Sequence, residues 1–358
     1  MKRFLTLISL VLTLVLLIAS CGEGKKEAKK DVKKAVTDKL VSKKVSGGIT
    51  IDGMPEAKWN DATSFAIKVD QNPYKPNNGY GGITETTVNM KSLYDNEYVY
   101  FLVEYKDPTK SHDRFPWEKQ ADGTWKHLKA KDDTGHDNTY YEDKFAMFWN
   151  INTKGFEKKG CAISCHMKED GKVDGVLDKS AGRKYTNAGE TIDMWHWKSN
   201  RSNPVGCFDD QYVNSDRSEK KSWGRHGDTG SGPYKNNVSD DKKTPKFMNK
   251  NKNAEKYWLL PEDQTPFVDT FKAGDRVAGI LVDKFPPARA NIAAKGVWSN
   301  GIWTIEFKRK LITTEPKAKV QDVQFDDLKK DYYFGVSVFD NSQINHIYHD
   351  KSLIMSFE

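Results

Sequence analysis

The stretch GVWSNGIWTIEFKR, residues 296–309, decides the fold class. Asn300-Gly301 lies between two apolar runs, and this dipeptide readily adopts the positive φ angles that a two-residue hairpin turn requires. After the turn every second residue is apolar, and the residues between them are polar: Thr304, Glu306 and Lys308. A period of two is typical of a strand with one buried face and one face in water. The stretch therefore predicts a β-hairpin that covers a hydrophobic core.

Strand signals also dominate the rest of the chain, and clear helix signals are nearly absent beyond residue 46. Residues 86–109 predict two strands around an Asp95-Asn96 turn. KFAMFWNI, residues 144–151, is apolar on both faces, which favours a buried central strand. DMWHWK (193–198) and YYFGVSVFDN (332–341) predict two more strands. The fold class expected from these signals is an all-β sandwich with long loops.

The positive charge of the chain is concentrated near its N-terminus. The formal net charge is +7, of which Lys2 and Arg3 supply two and residues 22–46 supply five, from nine lysines against four acidic residues. Residues 47–358 are therefore neutral, so the net charge gives no indication of nucleic-acid binding. Residues 21–46 predict a flexible Lys-rich linker, and residues 47–358 predict the folded domain. Within this domain, residues 215–253 are polar and aperiodic, and predict a long surface loop.

The first 21 residues predict export and a lipid anchor. A basic pair precedes an apolar run from Phe4 to Ile18, which is too short to span a bilayer but suits a secretory signal. Residues 18–21, IASC, resemble the lipobox of bacterial lipoproteins. The resemblance implies removal of residues 1–20 and lipidation of Cys21, which places the protein in the cell envelope. The residue after Cys21 is Gly22 and not an aspartate, and by analogy with bacterial lipoproteins this favours the outer membrane.

The motif GCAISCH, residues 160–166, carries the main functional signal. In c-type cytochromes two cysteine thiols add across the haem vinyl groups, and the histidine that follows binds the iron. Here three residues separate Cys161 from Cys165, one more than usual, and His166 follows. A disulfide between the two cysteines, a zinc site and a redox-active dithiol are the alternatives, although zinc lacks a second ligand pair nearby. Cys207 has no assigned partner and is expected to be a buried thiol.

Several stretches together resemble one family. They are KSLYDNEYVYFLVEYKDPT (91–109), EDKFAMFWNI (142–151), DMWHWKSNRSNPVGCFDDQY (193–212) and AKGVWSNGIWTIEFKRKL (294–311). The domain is similar to the haem-binding domain of the ethylbenzene dehydrogenase γ-subunit and dimethylsulfide dehydrogenase type. This resemblance implies a β-sandwich like that of carbohydrate-binding family 9 modules, with a single haem pocket. It also implies electron transfer beside a molybdenum enzyme of the DMSO reductase class. The γ-subunits hold haem b, whereas Cys161 and Cys165 indicate covalent haem c.

The second iron ligand is expected on the DMWHWK strand. Its period of two places Met194, His196 and Lys198 on one face, and all three side chains can bind iron. The family resemblance favours Lys198, because related domains with haem b use methionine and lysine. Haem chemistry in general favours His196 or Met194, since a lysine binds iron only when burial lowers its pKa. Lys198 is therefore the first candidate and His196 the second. Arg201 is a candidate partner for a haem propionate, since its guanidinium matches a carboxylate.

Two functions follow from these patterns. The first is a lipid-anchored monohaem cytochrome that passes single electrons between redox partners, which are a molybdoenzyme or other cytochromes. No catalytic constellation is evident, so the chain is not expected to be an enzyme itself. The alternative is a surface lipoprotein without haem whose Trp-rich sandwich binds glycans.

Overall fold

The computed structural model describes residues 38–166, 172–173, 176–177, 183–252, 254 and 257–358, and strands make up most of its regular structure. The strands, in chain order, are β1 (Leu40–Lys44), β2 (Phe65–Val69), β3 (Thr86–Tyr94), β4 (Tyr98–Lys106), β5 (Trp117–Lys119), β6 (Trp125–His127), β7 (Lys144–Asn150), β8 (Cys165–His166), β9 (Lys172–Val173), β10 (Val176–Leu177), β11 (Arg183–Lys184), β12 (Ile192–Lys198), β13 (Asp209–Val213), β14 (Arg225–Gly227), β15 (Tyr234–Asn236), β16 (Phe247–Asn249), β17 (Gln264–Pro266), β18 (Arg276–Val277), β19 (Ile280–Val282), β20 (Ala293–Ser299), β21 (Ile302–Lys310), β22 (Tyr332–Phe339), β23 (Ile347–Tyr348) and β24 (Leu353–Phe357). Two one-turn α-helices are α1 (Phe156–Lys159) and α2 (Ala318–Gln321). Short 3-10 helices span Ala57–Asn60, Gly160–Ile163, Asn203–Val205, Glu219–Gly224, Pro261–Asp263 and Pro287–Ala290.

One large mixed sheet organises the described residues. Its strand order is β14-β13-β12-β7-β22-β24-β1-β3-β4-β21-β20, with β2 added to β3 and β23 added to β22. The two pairings made by β1, with β24 and with β3, are parallel. Adjacent strands elsewhere along this order pair antiparallel.

The sheet folds over so that its two halves face each other. Phe101 of β4 contacts Trp149 of β7 and Trp195 of β12, with ring centroids 6.0 and 5.8 Å apart, although these strands are distant in the strand order. These rings belong to one buried apolar cluster that draws residues from both halves. Two packed layers around a shared core are a β-sandwich, so the predicted fold class is confirmed.

The hairpin at Asn300-Gly301 forms as the sequence predicts, with one exception on its outer face. Both turn residues have positive φ, 52° and 77°, and Trp303, Ile305 and Phe307 of β21 are buried in the core. Glu306 is expected to face water, but it is fully buried. Its carboxylate accepts hydrogen bonds from Trp59 Nε1 at 2.7 Å and from the Gly53 backbone at 2.9 Å. The segment before β2 covers this part of the outer face, which strand periodicity alone does not indicate.

The predicted linker, residues 21–46, includes a strand that belongs to the folded domain. Leu40–Lys44 is not a solvated tether but strand β1, which fills the gap between β24 and β3. Leu40 is buried in the core, and the Ser42 hydroxyl accepts a hydrogen bond from Ser92 Oγ at 2.9 Å. Residues 1–37, with the predicted signal and Cys21, lie outside the described residues. Within the described chain, no helix combines the length and apolarity needed to cross a bilayer.

The prediction of a long surface loop at 215–253 is also wrong in part. This segment contains β14, β15 and β16, and β14 forms one edge of the large sheet. Asp228 and Asn237 within it are buried. The Asn237 side chain bonds the backbone of Phe247 and Ala278, at 2.8 Å in each case. Buried polar side chains with backbone partners hold a polar segment in place without apolar periodicity.

Candidate functional site

Strand β12 presents two chemically different faces, as its sequence predicts. Trp195 and Trp197 belong to the sandwich core. Met194, His196 and Lys198 project from the opposite face, and all three are buried. Antiparallel pairing sets Met194 beside Phe148 and His196 beside Ala146 of β7. Since side chains of paired residues share a face, Phe148 and Ala146 extend the surface that carries Met194.

The CxxxCH segment packs against this surface. Cys161 lies in the 3-10 turn Gly160–Ile163, and the Ser164 amide closes the turn by donating to the Cys161 carbonyl at 3.2 Å. Strand β8 follows and pairs with β11, with Cys165 opposite Lys184. This turn accommodates the extra residue between the two cysteines. Only the backbone of His166 is described, so the predicted orientation of its ring lies outside the described structure.

An apolar cavity of about 370 Å³ lies between this turn and the sheet. Both motif cysteines line it, and Met194 forms part of the facing wall. The other lining residues are Asn72, Pro73, Ala146, Met147, Phe148, Ala162, Lys184, Gly335, Ser337, Phe339, His346 and Tyr348. Cys161 and Cys165 are not joined in a disulfide. Burial, with a smaller effect of Cys165, raises the pKa of the Cys161 thiol, so this thiol is protonated at neutral pH.

Gly335 on β22 allows the turn to approach the sheet this closely. A Cβ atom at this position would lie 2.3 Å from Cys161 Sγ and 3.3 Å from His349 Nε2. Because real Cβ contacts are longer than the first of these distances, any other residue at position 335 would displace the Cys161 thiol. The position of this cysteine therefore depends on a glycine more than 170 residues further along the chain.

A second, basic cavity of about 440 Å³ adjoins the first, because Lys184 lines both. Three arginines contribute to its wall: Arg183, Arg201 and Arg225. Its remaining lining residues are His136, Gln211, Ser222, Trp223, His226, Gly227, Tyr234 and Ile344, so no carboxylate lies among the described residues that line it. An excess of positive charge in a concave site attracts anions such as carboxylates.

Arg201, the predicted partner for a haem propionate, lines the basic cavity and already forms an ion pair of its own. Arg201 Nε contacts the buried carboxylate of Glu142, and Arg201 Nη2 lies 3.3 Å from the Tyr141 hydroxyl. The guanidinium also lies over the Tyr234 ring, 4.8 Å from its centroid. The Glu142 contact leaves the Nη atoms as the donors available to a ligand in the cavity.

Lys198, the favoured iron ligand from the sequence, is not part of the apolar cavity wall. Its ammonium contacts the carboxylate of Asp209, and the Tyr234 hydroxyl lies 3.4 Å from Nζ. Asp209 is fully buried and also pairs with Arg289. Burial raises the pKa of Asp209, but Lys198 and Arg289 together outweigh this and hold it below its usual value. Burial lowers the pKa of Lys198 itself, and Asp209 opposes this shift. The geometry decides between the two, because an amine in contact with an ionised carboxylate keeps its proton and has no lone pair for iron.

His196 is likewise engaged by a neighbour. Its Nδ1 lies 2.9 Å from Arg225 Nη2, and an arginine can only donate, so Nδ1 accepts and Nε2 carries the proton. Burial, together with the cations around it, lowers the pKa of His196 far below its usual value, which keeps the ring neutral. In this tautomer neither ring nitrogen offers a free lone pair to a metal. Of the three side chains on this face, Met194 is the one that reaches the cavity.

His346 is a cavity residue that the sequence reasoning did not identify. Its Nδ1 lies 2.7 Å from the Ile344 carbonyl oxygen, which can only accept, so Nδ1 carries the proton and Nε2 keeps its lone pair. Burial lowers the pKa of His346 to about 3, so the imidazole is neutral and competent to bind a metal. It lies between β22 and β23, where no motif or spacing in the sequence indicates a ligand.

The two cavities fit an amphipathic cofactor such as haem c. Two thiols, a thioether and aromatic rings surround an apolar space, and a basic space adjoins it. Haem has a flat apolar ring with two vinyl groups and carries two carboxylates. Its apolar part matches the first cavity and its carboxylates match the second. The glycine at position 335, where a side chain would displace Cys161, is consistent with a thiol held in a defined position.

The fold and the cavities define a β-sandwich domain with two adjoining cavities, one apolar and one basic. The chain belongs to the ethylbenzene dehydrogenase family, whose model matches residues 56–351. Membership of this family indicates a dehydrogenase-related subunit that associates with a larger enzyme. No curated protein matches the chain.

The solved structures to which the chain is similar include carbohydrate-binding proteins. A family 9 carbohydrate-binding module from Caldicellulosiruptor kristjanssonii in complex with glucose is 9% identical, with a TM-score of 0.32, and the match covers 89% of this chain and 95% of the module. A putative carbohydrate-binding protein from Bacteroides uniformis is 7% identical, with a TM-score of 0.28, and the match covers 89% and 99%.

Proposed function

We propose that this protein is an extracytoplasmic monohaem c-type cytochrome that carries single electrons and is not itself an enzyme. The observation that carries the proposal is the apolar cavity lined by Cys161, Cys165 and Met194, with the basic cavity beside it. The two cysteines would hold haem by thioether bonds, and His166, which follows Cys165, would bind the iron. Bound haem supplies a one-electron redox centre, whose potential its surroundings set.

Met194 is the second iron ligand that the cavity favours. It packs in one apolar cluster with Cys161 and Cys165, so its thioether lies on the same space as the proposed attachment points. Lys198 is held as an ammonium ion by its ion pair with Asp209, so it has no lone pair for iron. The tautomer of His196 also leaves no lone pair free. We therefore propose Met194, and not Lys198, as the second iron ligand. With His166 and Met194 as its protein ligands, bound haem would serve electron transfer and not substrate binding.

The rest of the chain supports an envelope location and a redox partner. Cys21 would anchor the mature protein to a membrane, most simply the outer membrane, through the lysine-rich segment that precedes β1. Family membership supports a partner enzyme, and a molybdoenzyme of the DMSO reductase class is the proposed one. Arg201 and Arg225 would hold the haem carboxylates from the basic cavity.

A spectroscopic redox titration tests this function. We expect full-length protein, made in a bacterium that matures c-type cytochromes, to carry one haem per chain. Its absorbance should follow a single reversible one-electron transition, with about 59 mV per tenfold change in the ratio of reduced to oxidised forms. A protein without haem absorbance, or with a haem that cannot be reduced and reoxidised, would contradict the proposal. A colourless protein that retains cellooligosaccharides would instead support the glycan-binding alternative.

A further inference from the structure

A second cluster of ionisable groups lies on the other face of the strands that carry the cofactor site. One carboxylate oxygen from each of Asp210, Asp228 and Asp322 lies within 4.8 Å of the others, and all three residues are buried. The Asp228 amide donates to the Asp210 carbonyl at 3.2 Å, which continues the pairing of β13 with β14. Asp322 reaches the same place from the end of α2. Distant parts of the chain thus converge on one buried group of oxygens.

A fourth carboxylate faces the cluster with an unpartnered oxygen. Asp193 on β12 lies diagonally across from Asp210, because Trp195 pairs with Asp210, and the two side chains share a face. Asp193 is fully buried. Its Oδ2 accepts from the Val323 amide at 2.8 Å and from Arg309 Nη1 at 3.1 Å, whereas no donor in the described chain reaches Oδ1.

Other oxygens at this place also lack donors among the described residues. They are Asp210 Oδ2, Asp228 Oδ1 and Asp322 Oδ1. A buried acceptor without a donor costs about 1–3 kcal/mol, and several in one place call for a shared partner. The side-chain nitrogens that reach this place are already engaged at other oxygens: Arg309 Nη1 contacts Asp193 Oδ2, and Asn291 Nδ2 lies 3.4 Å from Asp322 Oδ2.

The net charge of the buried carboxylates also indicates a partner for the cluster. Four carboxylates and one guanidinium leave a buried net charge of −3 when all are ionised. Such a group is stable only if protons or a cation neutralise it. The other buried aspartate cluster, Asp107, Asp143 and Asp340, differs because backbone or indole donors satisfy most of its oxygens.

We propose that Asp210, Asp228 and Asp322 bind one Ca²⁺ ion, and that the Asp193 carboxylate beside them adds to the negative charge around it. Calcium takes six to eight oxygen ligands in flexible geometry, which suits carboxylate oxygens from separate segments. Mg²⁺ usually keeps several of its own waters, and these buried side chains crowd the space such waters would need. The ion would tie the edge strand β14 and the segment after α2 to the sheet. The opposite face of β14 carries Arg225, so the same ion would hold part of the basic cavity wall in place.

Metal analysis combined with thermal unfolding tests this site. We expect full-length, haem-loaded protein to retain about one Ca²⁺ per chain after gel filtration in metal-free buffer. Removal by a chelator should lower Tm by about 5 °C or more, and Ca²⁺ at 100 times its Kd should restore it. Mg²⁺ at the same concentration should restore less than half of the shift. Asp228→Asn should abolish both the bound Ca²⁺ and the calcium-dependent shift, whereas the control Asp340→Asn in the other cluster should keep both.

A protein that does not bind Ca²⁺ at this cluster would give a different set of results. If the protein contains no Ca²⁺ and its Tm is the same with chelator and with added Ca²⁺, the carboxylates share protons and the proposal is wrong. Asp228→Asn would then leave Tm unchanged or raise it, because a neutral amide replaces a protonated acid. An equal response to Mg²⁺ would overturn the assignment to calcium. Haem absorbance recorded on the same samples separates this outcome from failure of the cytochrome proposal.

Discussion

Asp209→Asn is expected to lower the free energy of unfolding by about 3–5 kcal/mol at neutral pH. Asp209 is fully buried and neutralises two cations, Lys198 and Arg289. The amide keeps the shape of the side chain but leaves both cations without a counter-charge in a site that excludes water. Such an uncompensated buried charge is among the most destabilising changes that one substitution can cause.

Urea unfolding followed by circular dichroism measures this effect. Asp326→Asn is the matched control, because Asp326 pairs with Lys330 at 3.4 Å on the exposed surface, where an ion pair contributes at most about 1 kcal/mol. We expect the control to unfold with the midpoint of the unmodified protein. Equal midpoints for Asp209→Asn and the unmodified protein would show that Asp209 does not neutralise Lys198, which would make this lysine available to iron again.

Met194→Leu is expected to lower the reduction potential of the haem while the haem stays attached. A methionine ligand raises the potential relative to nitrogen ligands, and leucine removes the sulfur at nearly constant volume. The expected fall is on the order of 0.1 V or more, within the range of about 0.8 V that axial ligands span. Potentiometric titration of the purified protein measures it, and the absorbance spectrum reports the changed ligation.

Two control variants distinguish ligation from packing in this experiment. Met90→Leu changes a fully buried methionine of β3 in the sandwich core and should leave the potential unchanged. Lys198→Met removes the ligand that the sequence favoured and should leave the absorbance spectrum unchanged. A spectrum altered by Lys198→Met but not by Met194→Leu would contradict the assignment of Met194. Loss of the ligand signal in His346→Ala alone would assign the position to His346.

The elements of the fold that depend on local periodicity could be predicted from the sequence. The strand period of two correctly separates Trp195 and Trp197 from Met194, His196 and Lys198. Periodicity does not predict which other residue each side chain contacts. Asp209 on the neighbouring strand β13 forms an ion pair with Lys198, so this lysine is not free to bind iron. The ion pair depends on the register between β12 and β13, which cannot be predicted from the sequence.

The parts of the site that the sequence missed come from irregular segments. Arg225 lies in a stretch without apolar periodicity, yet strand β14 brings it to His196 and the basic cavity. His346 follows β22 in a turn, and its role as a cavity residue depends on the packing of that turn. In the sequence Leu40 belongs to a lysine-rich segment that predicts a solvated linker. In the structure it lies in strand β1, which pairs with β24 and β3. Each case is decided by tertiary contacts rather than by local preference.

A pyridine haemochrome spectrum, recorded after extraction with acidified acetone, shows whether Cys161 and Cys165 hold haem covalently. We expect the haem to stay with the protein and to show the shifted α-band of saturated vinyl groups. The double variant Cys161→Ala/Cys165→Ala should release all of its haem, whereas Cys207→Ala, which changes a buried cysteine outside the motif, should release none. Haem that extracts completely from the unmodified protein, or a protein that never acquires haem, would contradict the account.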